Sequence, residues 1–331
     1  MSHILITGGA GFIGSHTARA LLRRGDQVTL LDDFNDRYDP RLKEARIKHM
    51  FTGVPAPDLV RGDIRDRKLL EKYFSQQKFD QVIHLAAWAS VQPSIENPYI
   101  YTEVNVDGTV NILEMCRQYG VKNLIFASSS SVYGGQKEVP FREDANVSNP
   151  LSPYAATKAA GEILCATWHN LYGLPVSCLR FFTVYGPWGR PEMAIFKFTE
   201  AILTGRPIEM RGKTTMRDFT YIDDIVQGVI GALDHPHGFS IYNLGENDSV
   251  SLPRLISGLE SALGKKANVQ EVSLPVGDIP RTLADITKAR NELGYNPTTS
   301  IEEGVKKFVD WYQQQYEPLF LSMNAGVPQS T

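Results

Sequence analysis

The sequence predicts an α/β fold: a doubly wound parallel sheet of about seven strands with a smaller mixed α/β cap toward the C-terminus. Three observations predict it. Short apolar runs alternate with amphipathic helical stretches from residue 3 to residue 182. A glycine-rich turn at residues 8–14 joins the first such run to the first such helix. After Phe182 the alternation gives way to Gly- and Pro-dense pieces followed by further helical patterns.

Ile4–Thr7 reads as the first strand and Ser15–Arg24 as an amphipathic helix, with Leu21 and Leu22 inward and Arg19, Arg23 and Arg24 outward. Gly25 caps that helix, and Gln27–Leu31 is the second strand. Between them, Gly8, Gly11 and Gly14 allow a tight turn, close backbone approach to a pyrophosphate and close helix packing. The helix N-terminus at Phe12 and Ile13 then offers free N–H groups to phosphates. Asp32 ends the second strand, where a carboxylate suits the ribose 2′-hydroxyl of an adenosine and repels a 2′-phosphate. That pattern favours NAD over NADP.

The alternation continues. Leu59–Asp63 is the third strand, Arg67–Gln77 a helix and Gln81–Ala87 the fourth strand. Asp63 and Ile64 fall at a strand end, and the small Ala86 and Ala87 would let a cofactor pass close to the backbone. His84, inside a strand pattern, is a packing histidine. Pro98–Tyr119 reads as one long helix containing Asn105, Val121–Ala127 as the fifth strand, and Val176–Phe182 as the sixth. In such sheets ligands bind at the carboxyl ends of the strands, where all these candidates fall.

The fifth strand runs into Ser128-Ser129-Ser130-Ser131, and a polar loop later comes Tyr154, with Lys158 four residues on. On the helix expected at Tyr154–Tyr172 both side chains share a face. A lysine ammonium beside a phenol favours the phenolate, a plausible general base near neutral pH. By itself Tyr-x-x-x-Lys is a short pattern that decorates many helices. The upstream glycine turn gives it weight.

Thr183–Pro191 reads as irregular structure, Met193–Leu203 as a helix, and Arg217–Asp224 as the lead into a helix at Asp224–Leu233. Ile241–Leu244 is the last sheet strand. Residues 251–313 hold three helical patterns and an extended piece at 269–274. The expected division is residues 1–182 plus about 219–245 for the cofactor, and 183–218 plus 246–320 for an interleaved cap, with residues 321–331 a disordered tail.

Composition excludes several classes. The 331 residues carry a net charge of −3 with acid and base interspersed, which leaves no footprint for nucleic acid or an anionic membrane. No apolar run reaches the roughly 18 residues of a membrane span. Met1-Ser2-His3 leads directly into a strand without a visible signal peptide. Cys116, Cys165 and Cys178 have no C-x-x-C spacing, and read as reduced packing residues of a cytoplasmic protein. No His/Cys/carboxylate cluster has metal-ligand spacing.

With the glycine turn, the serine run and Tyr154/Lys158 in this order, the chain resembles the extended short-chain dehydrogenase/reductase family, which has a Rossmann fold. Within that family it is similar to nucleotide-sugar epimerases, most of all the UDP-glucuronate 4-epimerases. The motifs are Asp33-Phe34-Asn35-Asp36-Arg37-Tyr38-Asp39 with Arg41-Leu42-Lys43, and above all Arg180-Phe181-Phe182-Thr183-Val184-Tyr185-Gly186-Pro187-Trp188-Gly189-Arg190-Pro191. The resemblance implies a tightly held NAD, a UDP-sugar substrate and a homodimer built on helices near 99–119 and 154–172. It implies a cofactor wall of Gly8, Gly11, Phe12, Ile13, Gly14, Asp32, Asp63, Ile64, Leu85, Ala86, Ala87, Asn105, Tyr154, Lys158 and Phe181.

By the same resemblance Tyr154 takes the C4 hydroxyl proton, Lys158 holds the nicotinamide ribose and lowers the Tyr154 pKa, and Ser129 hydrogen-bonds the C4 oxygen. Arg190, helped by Thr183, Ser130 and Ser131, would restrain the carboxylate of a 4-keto glucuronate, a β-keto acid prone to lose CO₂. The alternative for Arg190 is an ion pair with a carboxylate such as Glu192. Arg217 and Asp278 would hold the uridine diphosphate. Neutral-sugar 4-epimerases and UDP-glucuronate decarboxylases share the fold and are the alternatives, and an intact Tyr154, Lys158 and Ser129 argue against a non-catalytic NAD sensor. Two departures stand out. Pro275 occupies the place of a second phosphate-binding arginine. Where the glucuronate enzymes read Ala-Gly-Val-Arg-Tyr-Ser, this chain has Ala89-Ser90-Val91-Gln92-Pro93-Ser94, with Trp88 before it, so Gln92 replaces a charge near the sugar.

Overall fold

A computed structural model describes residues 1–273 and 279–324. Of the tail expected at 321–331, residues 321–324 are instead the end of a helix, and the rest lies outside the described residues. Six strands open the chain: β1 (His3–Thr7), β2 (Gln27–Asp32), β3 (Asp58–Arg61), β4 (Gln81–His84), β5 (Asn123–Ser129) and β6 (Val176–Phe181). Seven helices lie among them: α1 (Phe12–Arg24), α2 (Arg41–Met50), α3 (Arg67–Gln76), α4 (Val91–Glu96), α5 (Pro98–Thr102), α6 (Gly108–Gln118) and α7 (Pro153–Tyr172). The second half adds β7 (Thr183–Tyr185), α8 (Ala194–Thr204), β8 (Pro207–Arg211), β9 (Met216–Tyr221), α9 (Ile222–Asp234) and β10 (Phe239–Leu244). β11 (Ser249–Ser251), α10 (Leu252–Leu263), β12 (Asn268–Val272), α11 (Thr287–Leu293), α12 (Ile301–Trp311) and α13 (Glu317–Asn324) complete it.

The main sheet has seven strands in the order β10-β6-β5-β4-β1-β2-β3, all parallel. The order reverses between β1 and β4, so a crevice opens at their carboxyl ends. Its strands read as continuous apolar runs because helices cover both faces. All six residues of β6 are buried. One core, with Ile83, Ile125 and Leu179 at the sheet, runs without a break into Leu255, Val305 and Phe308 of the second half. The other face packs Val82, Leu124 and Phe126 against Leu113 and Cys165. All three cysteines are free and buried there, as expected. No described helix is long and apolar enough to cross a membrane.

Several boundaries differ from the expectation. β4 stops at His84, and residues 85–90 run on without a strand partner. The long helix expected over 98–119 is α5, a π-helical turn at Glu103–Asp107, and α6. Thr183–Tyr185, expected to be irregular, is a strand because β-branched and aromatic side chains here pair in parallel with Phe219–Tyr221 of β9. β11 joins the other edge of β9, and β8 pairs with β12.

Asp218 fastens this second group. It is fully buried and accepts from the backbone N–H groups of Glu246 (2.7 Å), Ala284 (3.0 Å) and Asn247 (3.2 Å). Burial nonetheless lifts its pKa to about 6.

Candidate functional site

A cavity of about 1020 Å³ opens at the carboxyl ends of the parallel strands. Its walls come from the glycine turn, the ends of β2, β3, β4, β5 and β6, the start of α7, and the second-half segments 183–217.

The glycine turn leaves no room for side chains. Gly8 sits at φ +69°, and a Cβ there would come within 2.8 Å of the Ala86 backbone nitrogen. A Cβ on Gly14 would strike the Gly8 carbonyl. The turn therefore presses α1 onto the sheet and leaves the α1 N-terminus facing the cavity, as a pyrophosphate requires. Beside it, Asp32 accepts from the Ala10 N–H (3.1 Å) and the Phe34 N–H (2.9 Å). Lys43 reaches it from α2, 3.1 Å away in a nearly dry ion pair. Asp63, Ile64, Leu85, Ala86, Ala87 and Phe181 all line the wall as expected. The residues present fit a dinucleotide.

Asn105 lies behind that wall. Its amide accepts from the Trp88 N–H (2.8 Å) and donates to the Trp88 carbonyl (2.9 Å) and the Thr157 hydroxyl (3.0 Å). These bonds use both amide protons and one lone pair of the oxygen, so Asn105 shapes the 85–90 segment. Tyr101 holds the next residue, donating to the Ala89 carbonyl at 2.8 Å. His84 is neutral and structural: Thr7 (2.7 Å) and Thr109 (3.1 Å) bracket its ring, and burial drops its pKa to about 3.

α7 delivers Tyr154 and Lys158. Ser152 caps it by accepting from the Ala155 N–H, Pro153 occupies the first turn, and Gly173 ends it in the left-handed conformation. Both site residues line the cavity, together with Ser129, Ser130 and Ser131. The Ser131 hydroxyl donates to Ser129 at 2.9 Å, and Ser129 in turn faces Tyr154.

The charges acting on Tyr154 differ from the expectation that Lys158 lowers its pKa. Burial pushes the Tyr154 pKa above the ordinary tyrosine value, and what opposes it is Ser129 first and the Arg190 guanidinium second. Lys158 instead donates to the Ala127 carbonyl at 2.7 Å, and burial lowers its pKa to about 8. The ammonium is thus fixed on the end of β5.

Thr183, Arg190 and Arg217 line the second-half wall. Arg190 does form the ion pair with Glu192, at 3.3 Å. One terminal nitrogen makes that pair, and the other donates to the Met193 sulfur at 3.1 Å. Gln92 lies on α4 and does not line the cavity. Asp278 and Pro275 lie outside the described residues.

Sequence reasoning missed several residues. Lys43 and Arg37 line the cavity. Arg46 is fully buried beneath it, bonding the Trp188 carbonyl (2.7 Å), the Tyr38 hydroxyl (2.6 Å) and the Ala10 carbonyl (3.2 Å). Lys43 and Arg46 are three apart, one face of a helix, and that spacing was the available signal. Ser90 also lines the wall, at φ +91° and ψ 138°, a region that belongs to glycine. Ser90→Gly is expected to raise stability by about 1 kcal/mol, since relieved strain of about 1–3 kcal/mol exceeds the entropic cost of a glycine. Thermal unfolding checks this: a rise of about 2 °C for Ser90→Gly, and none for Ser90→Ala, which keeps the strain.

Residues 4–245 match the model of the NAD dependent epimerase/dehydratase family. The chain belongs to that family. Family members of known activity are similar over nearly the full chain. UDP-glucuronate 4-epimerase 1 of Arabidopsis thaliana is 47% identical over 95% of this chain and 77% of its own length. The UDP-glucuronate 4-epimerase of Thermodesulfobacterium geofontis is 44% identical, over 96% of this chain and 98% of its own. Among solved structures of the family, the UDP-glucuronic acid 4-epimerase of Bacillus cereus in complex with UDP-glucuronic acid and NAD superposes with a TM-score of 0.87. It is 36% identical, over 95% of this chain and 100% of that one.

Proposed function

We propose that the chain is an NAD-dependent UDP-glucuronate 4-epimerase, interconverting UDP-glucuronate and UDP-galacturonate without loss of CO₂. The observation that carries this reading is the meeting of Tyr154, Ser129 and Ser131 with Arg190 and Thr183 in one cavity that also contains the glycine turn. Relatives named for this activity support the substrate. NAD, when bound, accepts a hydride from C4 of the sugar and returns it to the opposite face.

The chain's own residues do the rest. Tyr154 takes the C4 hydroxyl proton and gives it back. Ser129, held by Ser131, steadies the C4 oxygen on both passes. Lys158 anchors the nicotinamide ribose, with its ammonium fixed by Ala127. Arg190 presents its guanidinium to the sugar carboxylate, and Thr183, Ser130 and Ser131 add hydroxyls. They hold the C5–carboxylate bond out of the perpendicular alignment with the C4 ketone that drives decarboxylation. Arg217, with Asp278, holds the uridine diphosphate.

We assign residues 1–182 with 219–245 to the cofactor and 183–218 with 246–320 to the nucleotide sugar. Tyr99 (78% exposed), Ile163 (68%) and Leu171 (65%) leave an apolar face on α5 and α7, which we assign to a homodimer. Three unpaired cysteines suit a reducing compartment, and we place the protein in the cytoplasm.

Proton NMR of UDP-glucuronate incubated with the purified protein tests the reading. UDP-galacturonate signals and no pentose are expected. UDP-xylose or a 4-keto pentose would identify a decarboxylase, and turnover of UDP-glucose alone would identify a neutral-sugar enzyme. Light scattering on the same sample reads the dimer, which a monomeric mass would rule out.

A further inference from the structure

We propose that Arg37 is the side-chain cation that grips the diphosphate of the cofactor and sets how long the dinucleotide stays bound. This rests on placing NAD in the glycine-turn half of the cavity. Arg37 belongs to the loop between β2 and α2 and lines that cavity.

The charge inventory of this half points to it. A dinucleotide diphosphate carries two negative charges. The α1 N-terminus answers with peptide N–H groups and about half an elementary charge. Lys43 is already committed, 3.1 Å from Asp32 and 3.7 Å from Asp33. Lys158 is tied to the Ala127 carbonyl at the far end. Arg46 spends its donors on Trp188, Tyr38 and Ala10. Arg37 has no ion pair among the described residues, and of these four cations it alone keeps a buried nitrogen, its Nε, without an acceptor.

Its placement suits a phosphate. The next residue, Tyr38, is fixed through Arg46 to the Ala10 carbonyl, so the backbone at 37 is anchored beside the glycine turn. The guanidinium faces the Tyr101 hydroxyl. Tyr101 in turn donates to the Ala89 carbonyl on the opposite wall. The side chain therefore spans the cleft from the β2 side to the 85–90 segment. Phosphate oxygens beneath it would meet the orphaned Nε and a terminal nitrogen as a bidentate fork. Release of the dinucleotide then requires this arm to swing aside. For a reaction that takes and returns a hydride on one cofactor molecule, slow release keeps the enzyme loaded between turnovers.

The test compares wild type, Arg37→Gln and Arg37→Lys, each stripped of nucleotide and titrated with NAD calorimetrically at several salt concentrations. NAD retained through gel filtration is measured in parallel. Arg37→Gln is expected to bind NAD on the order of 10–100-fold more weakly. It should lose nucleotide on the column and show a shallower salt dependence, and Arg37→Lys should recover part of the affinity. The KM for UDP-glucuronate at saturating NAD should stay within a factor of about two. Unchanged NAD affinity with a raised sugar KM would overturn the proposal and assign Arg37 to the sugar carboxylate. No change in either would make it a surface residue. Weakened NAD binding in a protein that turns over no UDP-sugar would leave the Arg37 assignment standing and sink the epimerase reading instead.

Discussion

Tyr154→Phe is expected to lower kcat by about 10²–10⁴-fold while NAD binding and folding stay near wild type. The ring alone makes the structural contacts. It meets Tyr101 edge-on, with centroids 6.2 Å apart, and phenylalanine preserves that packing. What is lost is the hydroxyl facing Ser129, the group proposed to take the C4 proton and give it back. Ser129 keeps its partner Ser131, so no buried hydroxyl is orphaned. The cost therefore falls on the transition state, lowering kcat and kcat/KM together. The check is an NMR rate with UDP-glucuronate beside an NAD titration. A variant within tenfold of wild type would remove Tyr154 from its role as base.

The largest stability loss is expected from Arg180→Met, about 3–5 kcal/mol. Arg180 is buried with 2% of its side chain exposed and pairs with Glu162, itself 4% exposed, at 2.8 Å and 2.9 Å. Its guanidinium also bonds the Glu143 carbonyl and lies over the Tyr133 ring. Methionine fills much of the volume but strands the Glu162 carboxylate in the core, with only the Ser128 hydroxyl left to it. The double variant with Glu162→Met should recover most of the loss, because both charges then leave together. Denaturant midpoints measure both. A single-variant loss below about 1 kcal/mol would show that water reaches the pair. Ser128 adjoins Ser129, so the single variant should also disturb the site.

Much of this was legible in the sequence because its causes are local. Gly8, Gly11 and Gly14 act through the conformation of a seven-residue turn, and Tyr154 and Lys158 share a face by helix period alone. Parallel strands buried on both faces announce themselves as apolar runs. The unreadable parts depend on partners far away in sequence. Arg46 finds its acceptor at Trp188, and Thr183–Tyr185 becomes a strand only because Phe219–Tyr221 lies beside it. Asn105 was read as a ligand contact, and only the folded position of Trp88 shows its amide tied to the 85–90 segment. The ammonium of Lys158 could not be aimed from spacing: helix period gives the face, and the Ala127 carbonyl decides the direction.

The order of strands in the main sheet also dictates when it can be finished on the ribosome. β10 pairs along the whole outer edge of β6, yet residues 182–238 are made between them. At about 5–20 residues per second the nascent chain carries that unpaired edge for several seconds. An open edge of buried-type residues is a template for pairing with another chain. Truncations that stop before Phe239 keep the glycine turn, Tyr154 and Lys158 but leave this edge bare, so they should accumulate as aggregates even though the residues proposed for catalysis are all present.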